Sequence, residues 1–108
     1  MSVGMTIYEL KQYNEERKPT EISFFSEEQS WTELSDPLMV KIIFNRMTVI
    51  QNPKQIYFTN GITQFRIGRI NRIEIDSISC RDCCIGDILT IFSRDRFGKE
   101  VPIKLLIS

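Results

Sequence analysis

The run KQIYFTNGITQFRIG, Lys54 to Gly68, constrains the fold more than any other stretch of the chain. Two alternating apolar and polar arms flank Asn60-Gly61. A type I′ turn needs positive φ at both central residues, and Asn-Gly meets that need, so a two-residue β-hairpin is expected. Ile56 and Phe58 share one face of the first arm. Thr63, Phe65 and Ile67 share one face of the second.

The neighbouring segments read the same way. In RINRIEIDSI, Ile73 and Ile75 alternate with Glu74 and Asp76, the period of a half-buried strand. GDILTIFSRDRFGKEVPIKLLIS reads as a second hairpin, with strands Ile88 to Ser93 and Val101 to Ile107 and a turn near Asp95 to Gly98. Val101, Ile103, Leu105 and Ile107 are its expected core face. Pro102 cannot donate to a ladder and belongs at an edge. LMVKIIFNRMTVIQN is long for one strand, with a bend or break expected at Asn45-Arg46. Composition agrees with this β-rich reading: isoleucine leads the apolar residues and alanine is absent.

The N-terminal third differs. Thr6 followed by Glu9 is a capping box, and Ile7, Leu10, Tyr13 and Asn14 fall on one face of the following residues. The pattern predicts a helix over 7–16, ended near Pro19. TEISFFSEEQSW admits two readings, a strand through Ile22 and Phe24 or a short helical turn carrying Trp31 and Leu34, before a turn at Asp36-Pro37.

The expectation is a single domain spanning 1–108, of mainly β, β-rich α+β class. An N-terminal helix precedes a small antiparallel barrel or roll of about six or seven strands. Residues 1–36 form an acidic helical or mixed segment, and residues 37–108 a β meander that curls to reduce its open edges. No β-α-β alternation points to a parallel sheet.

Net charge is zero but unevenly spread. Residues 1–36 carry eight acidic and three basic side chains, and the remainder carries the compensating excess of positive charge. Nothing at the N-terminus resembles a signal peptide and no run is long enough to span a membrane. Three cysteines, an odd number, suit a reducing compartment. The expected location is cytoplasmic.

The chain has no histidine, which removes the usual nucleophile–base pairs, the commonest metal ligand and the usual proton carrier near neutral pH. Its five glycines are scattered and form no phosphate-binding loop. The chain is read as a non-catalytic protein that needs no cofactor.

Three clusters remain as candidate sites. SISCRDCCIGD holds Cys80, Cys83 and Cys84. A zinc site needs about four ligands, and a second knuckle is missing. A redox thiol needs nearby positive charge, which Arg81 supplies. The plainer reading is a loop or strand end whose partly buried cysteines act as small apolar residues. The second cluster is basic: Arg66, Arg69 and Arg72 at spacing three, with Arg94, Arg96 and Lys99 around Phe97. Guanidinium groups with aromatic rings suit nucleic acid. Strand alternation does not align spacing three, however, unless Gly68 introduces a bulge, and a zero net charge is unlike a dedicated binder. The third cluster is Tyr8, Tyr13, Phe25 and Trp31, apolar surface suited either to covering the sheet or to an interface.

The leading expectation is a binding or scaffolding module acting through protein–protein contact, with a protein partner or as a homodimer, by addition of a strand to an exposed edge. A nucleic-acid-binding barrel using the arginines comes second. A metal- or thiol-dependent role of the cysteines comes third.

Overall fold

The computed structural model describes residues 3–24, 42–80 and 83–107, with the backbone alone for 78–80 and 83–85. Expectations for Phe25, Trp31, Leu34, Asp36-Pro37 and Leu38 to Lys41 lie outside the described residues.

The described chain is mainly β with one helix. In order along the chain come β1 (Val3–Met5), α1 (Ile7–Arg17), β2 (Ile22–Phe24), β3 (Ile43–Phe44), β4 (Arg46–Ile50), β5 (Gln55–Thr59), β6 (Gln64–Ile67), β7 (Ile70–Cys80), β8 (Cys83–Arg94) and β9 (Glu100–Ile107). Six strands pair in the order β1-β7-β8-β9-β2-β3, and three in the order β4-β5-β6. All these pairings are antiparallel. Among the described residues no pairing closes either sheet into a barrel.

The chain passes between the sheets twice. Asn45 alone separates β3 from β4, the break expected at Asn45-Arg46, and Gly68 and Arg69 separate β6 from β7. Both sheets feed one core. Phe44, Ile22, Leu89, Ile91, Leu105 and Ile107 come from the larger sheet, Ile56, Phe58, Met47 and Ile67 from the smaller, and Leu10 from the helix. Alternation produces this: Ile73, Leu89, Ile91 and Leu105 point inward, while Arg72, Phe92 and Lys104 occupy the alternate positions.

Helix α1 forms as its sequence requires. Thr6 Oγ1 accepts from the Glu9 N–H, and Glu9 Oε1 accepts from the Thr6 N–H. The helix ends at Lys18, which takes a left-handed backbone with φ 48° while its N–H bonds Asn14 O. Leu10 is its buried anchor. The Asn14 side chain donates to Met47 O at 2.7 Å, so the helix lies beside β4 and satisfies a carbonyl that a further strand would otherwise pair.

Four expectations change. The N-terminal segment is not separate from the meander: β1 pairs with β7, and β2 sits between β9 and β3. Among the described residues strands number nine rather than six or seven, because Val3–Met5 adds a strand and the run around Asn45 divides into two. The Asn60-Gly61 hairpin has a four-residue loop, since Thr59 pairs with Gln64. Asn60 accepts from the Ile62 and Thr63 N–H groups through Oδ1, and only Gly61 within the loop has positive φ. Thr63 is therefore exposed instead of sharing the Phe65 face. Finally, Val101 is exposed, because it lies at the hairpin end of β9, whereas Ile103 packs half-buried against the core as expected. Pro102 falls on the stretch of β9 that β2 does not cover.

Candidate interaction surface at the β8–β9 hairpin

The hairpin joining β8 to β9 is built by one carboxylate. Asp95 Oδ1 accepts from the Phe97 N–H at 2.8 Å and the Lys99 N–H at 2.9 Å. The backbone completes the turn, with Asp95 N–H bonded to Lys99 O and Gly98 N–H to Asp95 O. Gly98 supplies the positive φ, 80°, that the last loop position needs. This frame presents Phe97 to solvent with 81% of its surface exposed. The Arg96 guanidinium lies 4.9 Å from its ring centroid.

The corner between β6 and β7 packs beside this hairpin. Arg94 N–H donates to Arg69 O at 3.0 Å, and Ser93 Oγ donates to Gly68 O at 2.7 Å. Arg69 is held with φ 51°, in the left-handed region that side chains other than glycine rarely enter. A register shift between Ile70 and Arg72 follows. The shift lies within β7, whereas Gly68 sits in the connection between β6 and β7.

The basic residues fall into distinct states. Arg72 lies 3.8 Å from the Phe92 ring centroid and pairs with Glu74 at 2.8 Å and Glu100 at 3.0 Å. Asn71 also donates to Glu100. Donation from Arg72, then from Asn71, holds the Glu100 carboxyl below the usual carboxylate range. Arg94 donates to Asn71 Oδ1. Arg69, Arg96 and Lys99 have no carboxylate partner among the described residues. Arg66 is exposed on β6 opposite Tyr57, and no contact among the described residues joins it to the others. The structure therefore brings Arg69, Arg94, Arg96 and Lys99 to one end, with Arg72 fixed beside them and Arg66 apart.

The cysteine stretch holds the ends of two paired strands, as the strand-end reading expects. Strand β7 runs to Cys80 and β8 starts at Cys83, with Cys80 opposite Cys83 and Ser79 opposite Cys84. Among the described residues no group of three metal-ligating side chains is placed to hold an ion. Of the aromatic candidates, Tyr8 is exposed and its hydroxyl accepts from Gln12. Tyr13 packs against the core and donates to Asp87 Oδ2, and Ser77 donates to the other oxygen of the same carboxylate. Burial, then the bond to Asp87, raises the Tyr13 hydroxyl above the ordinary tyrosine range.

A shallow groove of about 260 Å³ lies between α1 and β4, lined by Lys11, Asn14, Glu15, Arg46 and Met47 among others. Another depression, of about 280 Å³, lies beside Tyr13, Glu16 and Arg17. No helix among the described residues is long and apolar enough to cross a membrane.

The turn at Asp95 to Gly98 was legible in the sequence. The double acceptance by Asp95 Oδ1 of the Phe97 and Lys99 N–H groups was not, because it depends on the folded turn. Comparison with protein-family models, curated proteins and solved structures gave no match, so the functional reading rests on this geometry.

Proposed function

We propose that the chain is a non-catalytic binding or scaffolding module that acts through protein–protein contact, with the β8–β9 hairpin as its docking element. The observation that carries this reading is Phe97, an aromatic ring 81% exposed on a turn fixed by its own hydrogen bonds. A large apolar side chain on a pre-ordered mount loses little conformational freedom on binding. Aromatic and arginine side chains are also the commonest anchors of interfaces. On this reading the two sheets act together as one roll, with the chain bending at Asn45 and at Gly68-Arg69, and the roll's role is to hold the hairpin still.

Strand addition has less support. Asn14 takes Met47 O beside β4, and Asn60 donates to Ile43 O on β3. The short β1, whose Val3 is 61% exposed, remains a candidate edge for a second copy. The nucleic-acid reading keeps Phe97 with Arg96, Lys99 and Arg69, but Glu74, Asp95 and Glu100 stand among these cations and oppose a continuous polyanion.

The test compares wild type with Phe97→Ala by affinity capture and thermal melting. Loss of captured protein with melting unchanged supports the reading, since an exposed side chain contributes little to folding. Undiminished capture by Phe97→Ala would contradict it. Sedimentation of the purified chain decides between a second copy and a different protein as partner.

A further inference from the structure

We infer that the surface docking on this end is acidic, with carboxylates facing Arg69, Arg96 and Lys99 around an apolar pocket for Phe97. This inference rests on the docking role just proposed for Phe97. Its basis is which positive charges are already committed. Arg72 is bound to two carboxylates and Arg94 to Asn71, whereas Arg69, Arg96 and Lys99 have no carboxylate among the described residues. One end of the molecule thus presents uncompensated positive charge beside an uncompensated apolar ring. A partner that meets both carries anionic groups at its rim. Discrete carboxylates on a protein surface can sit between Glu74, Asp95 and Glu100, while a regular phosphate chain cannot avoid them.

Arg69 adds an independent observation. Its left-handed backbone is one that glycine adopts without cost, and the chain places glycine one residue earlier, at Gly68. The bonds to Arg69 O and Gly68 O clamp the corner against β8. Such conformations persist where surrounding structure enforces them, and they collect at functional positions. We read Arg69 as a partner-contacting residue.

The probe is a fluorescent random copolymer of glutamate and tyrosine, titrated by anisotropy beside a single-stranded polynucleotide of matched charge at the same salt. Wild type is expected to bind the copolymer more tightly. Arg69→Gly is expected to weaken copolymer binding about tenfold, the scale of one charge-assisted contact, while raising the melting midpoint by relieving the backbone. Lys18→Gly relieves the other left-handed side chain and should raise the midpoint without changing binding. Tighter binding to the polynucleotide, or no copolymer binding by wild type, overturns the inference. If Phe97→Ala abolishes copolymer binding while Arg69→Gly, Arg96→Gln and Lys99→Gln preserve it, the docking role stands and the acidic partner is rejected. If Phe97→Ala also preserves binding, both fail.

Discussion

Tyr13 joins the helix to the larger sheet through one hydroxyl. Its pKa is raised in the folded protein, first by burial and then by donation to Asp87. A raised value means the protonated form is favoured on folding, so the contribution is fully present below the unfolded tyrosine pKa of about 10 and is lost as pH climbs toward the folded value. Tyr13→Phe should therefore cost about 1 kcal/mol near neutral pH, and the gap from wild type should close above about pH 10. Denaturant melts at both pH values check this, and a gap that widens with pH contradicts it. Residue-scale roles were only partly readable from sequence. Thr6 and Glu9 announce their partners by spacing. Tyr13 and Asp87 lie 74 residues apart, and only the fold reveals their bond. The cysteines cluster in the sequence, but only the fold shows that Cys80 and Cys83 stand opposite each other on paired strands.

At the scale of elements, the hairpin depends on Asp95. Asp95→Ala removes the acceptor for two backbone N–H groups and should cost about 1 kcal/mol in stability. It should also weaken partner binding although Phe97 is intact, because the ring is no longer pre-ordered. Melting and affinity capture of the same variant test this, and unchanged capture would show that rigidity of the turn is irrelevant. The helix offers a separate check: Thr6→Ala should cost about 1 kcal/mol by removing the cap, with capture unchanged. Local patterns found the helix, the break at Asn45 and the arms of both hairpins, because those depend on alternation and capping within a few residues. They missed β1, whose three residues Val3-Gly4-Met5 carry too little pattern and are strand only because β7 pairs with them. They also misread the Asn60-Gly61 loop, since the Asn60 side chain takes the Ile62 and Thr63 N–H groups and the loop widens to four residues.

The whole molecule is a shared core with two sheets bent around it. Phe44 and Phe58 meet across those sheets at 5.9 Å between ring centroids, and Phe24 meets Phe65 at 5.1 Å. Phe58→Ala should cost about 3–5 kcal/mol, measured by denaturant unfolding; a small loss would mean that the sheets do not depend on one core. Within the net-positive part of the sequence, residues 37–108, Glu74 and Glu100 fix Arg72, and the cations left without a carboxylate lie near Phe97. We propose that this end is where the molecule is held by another. The most direct measurement places a photo-crosslinking phenylalanine analogue at position 97, and at Tyr8 as comparison, in cells making the protein. A discrete protein adduct is expected from position 97 and none from position 8. Adducts from position 8 alone would move the docking surface to the helix and contradict it.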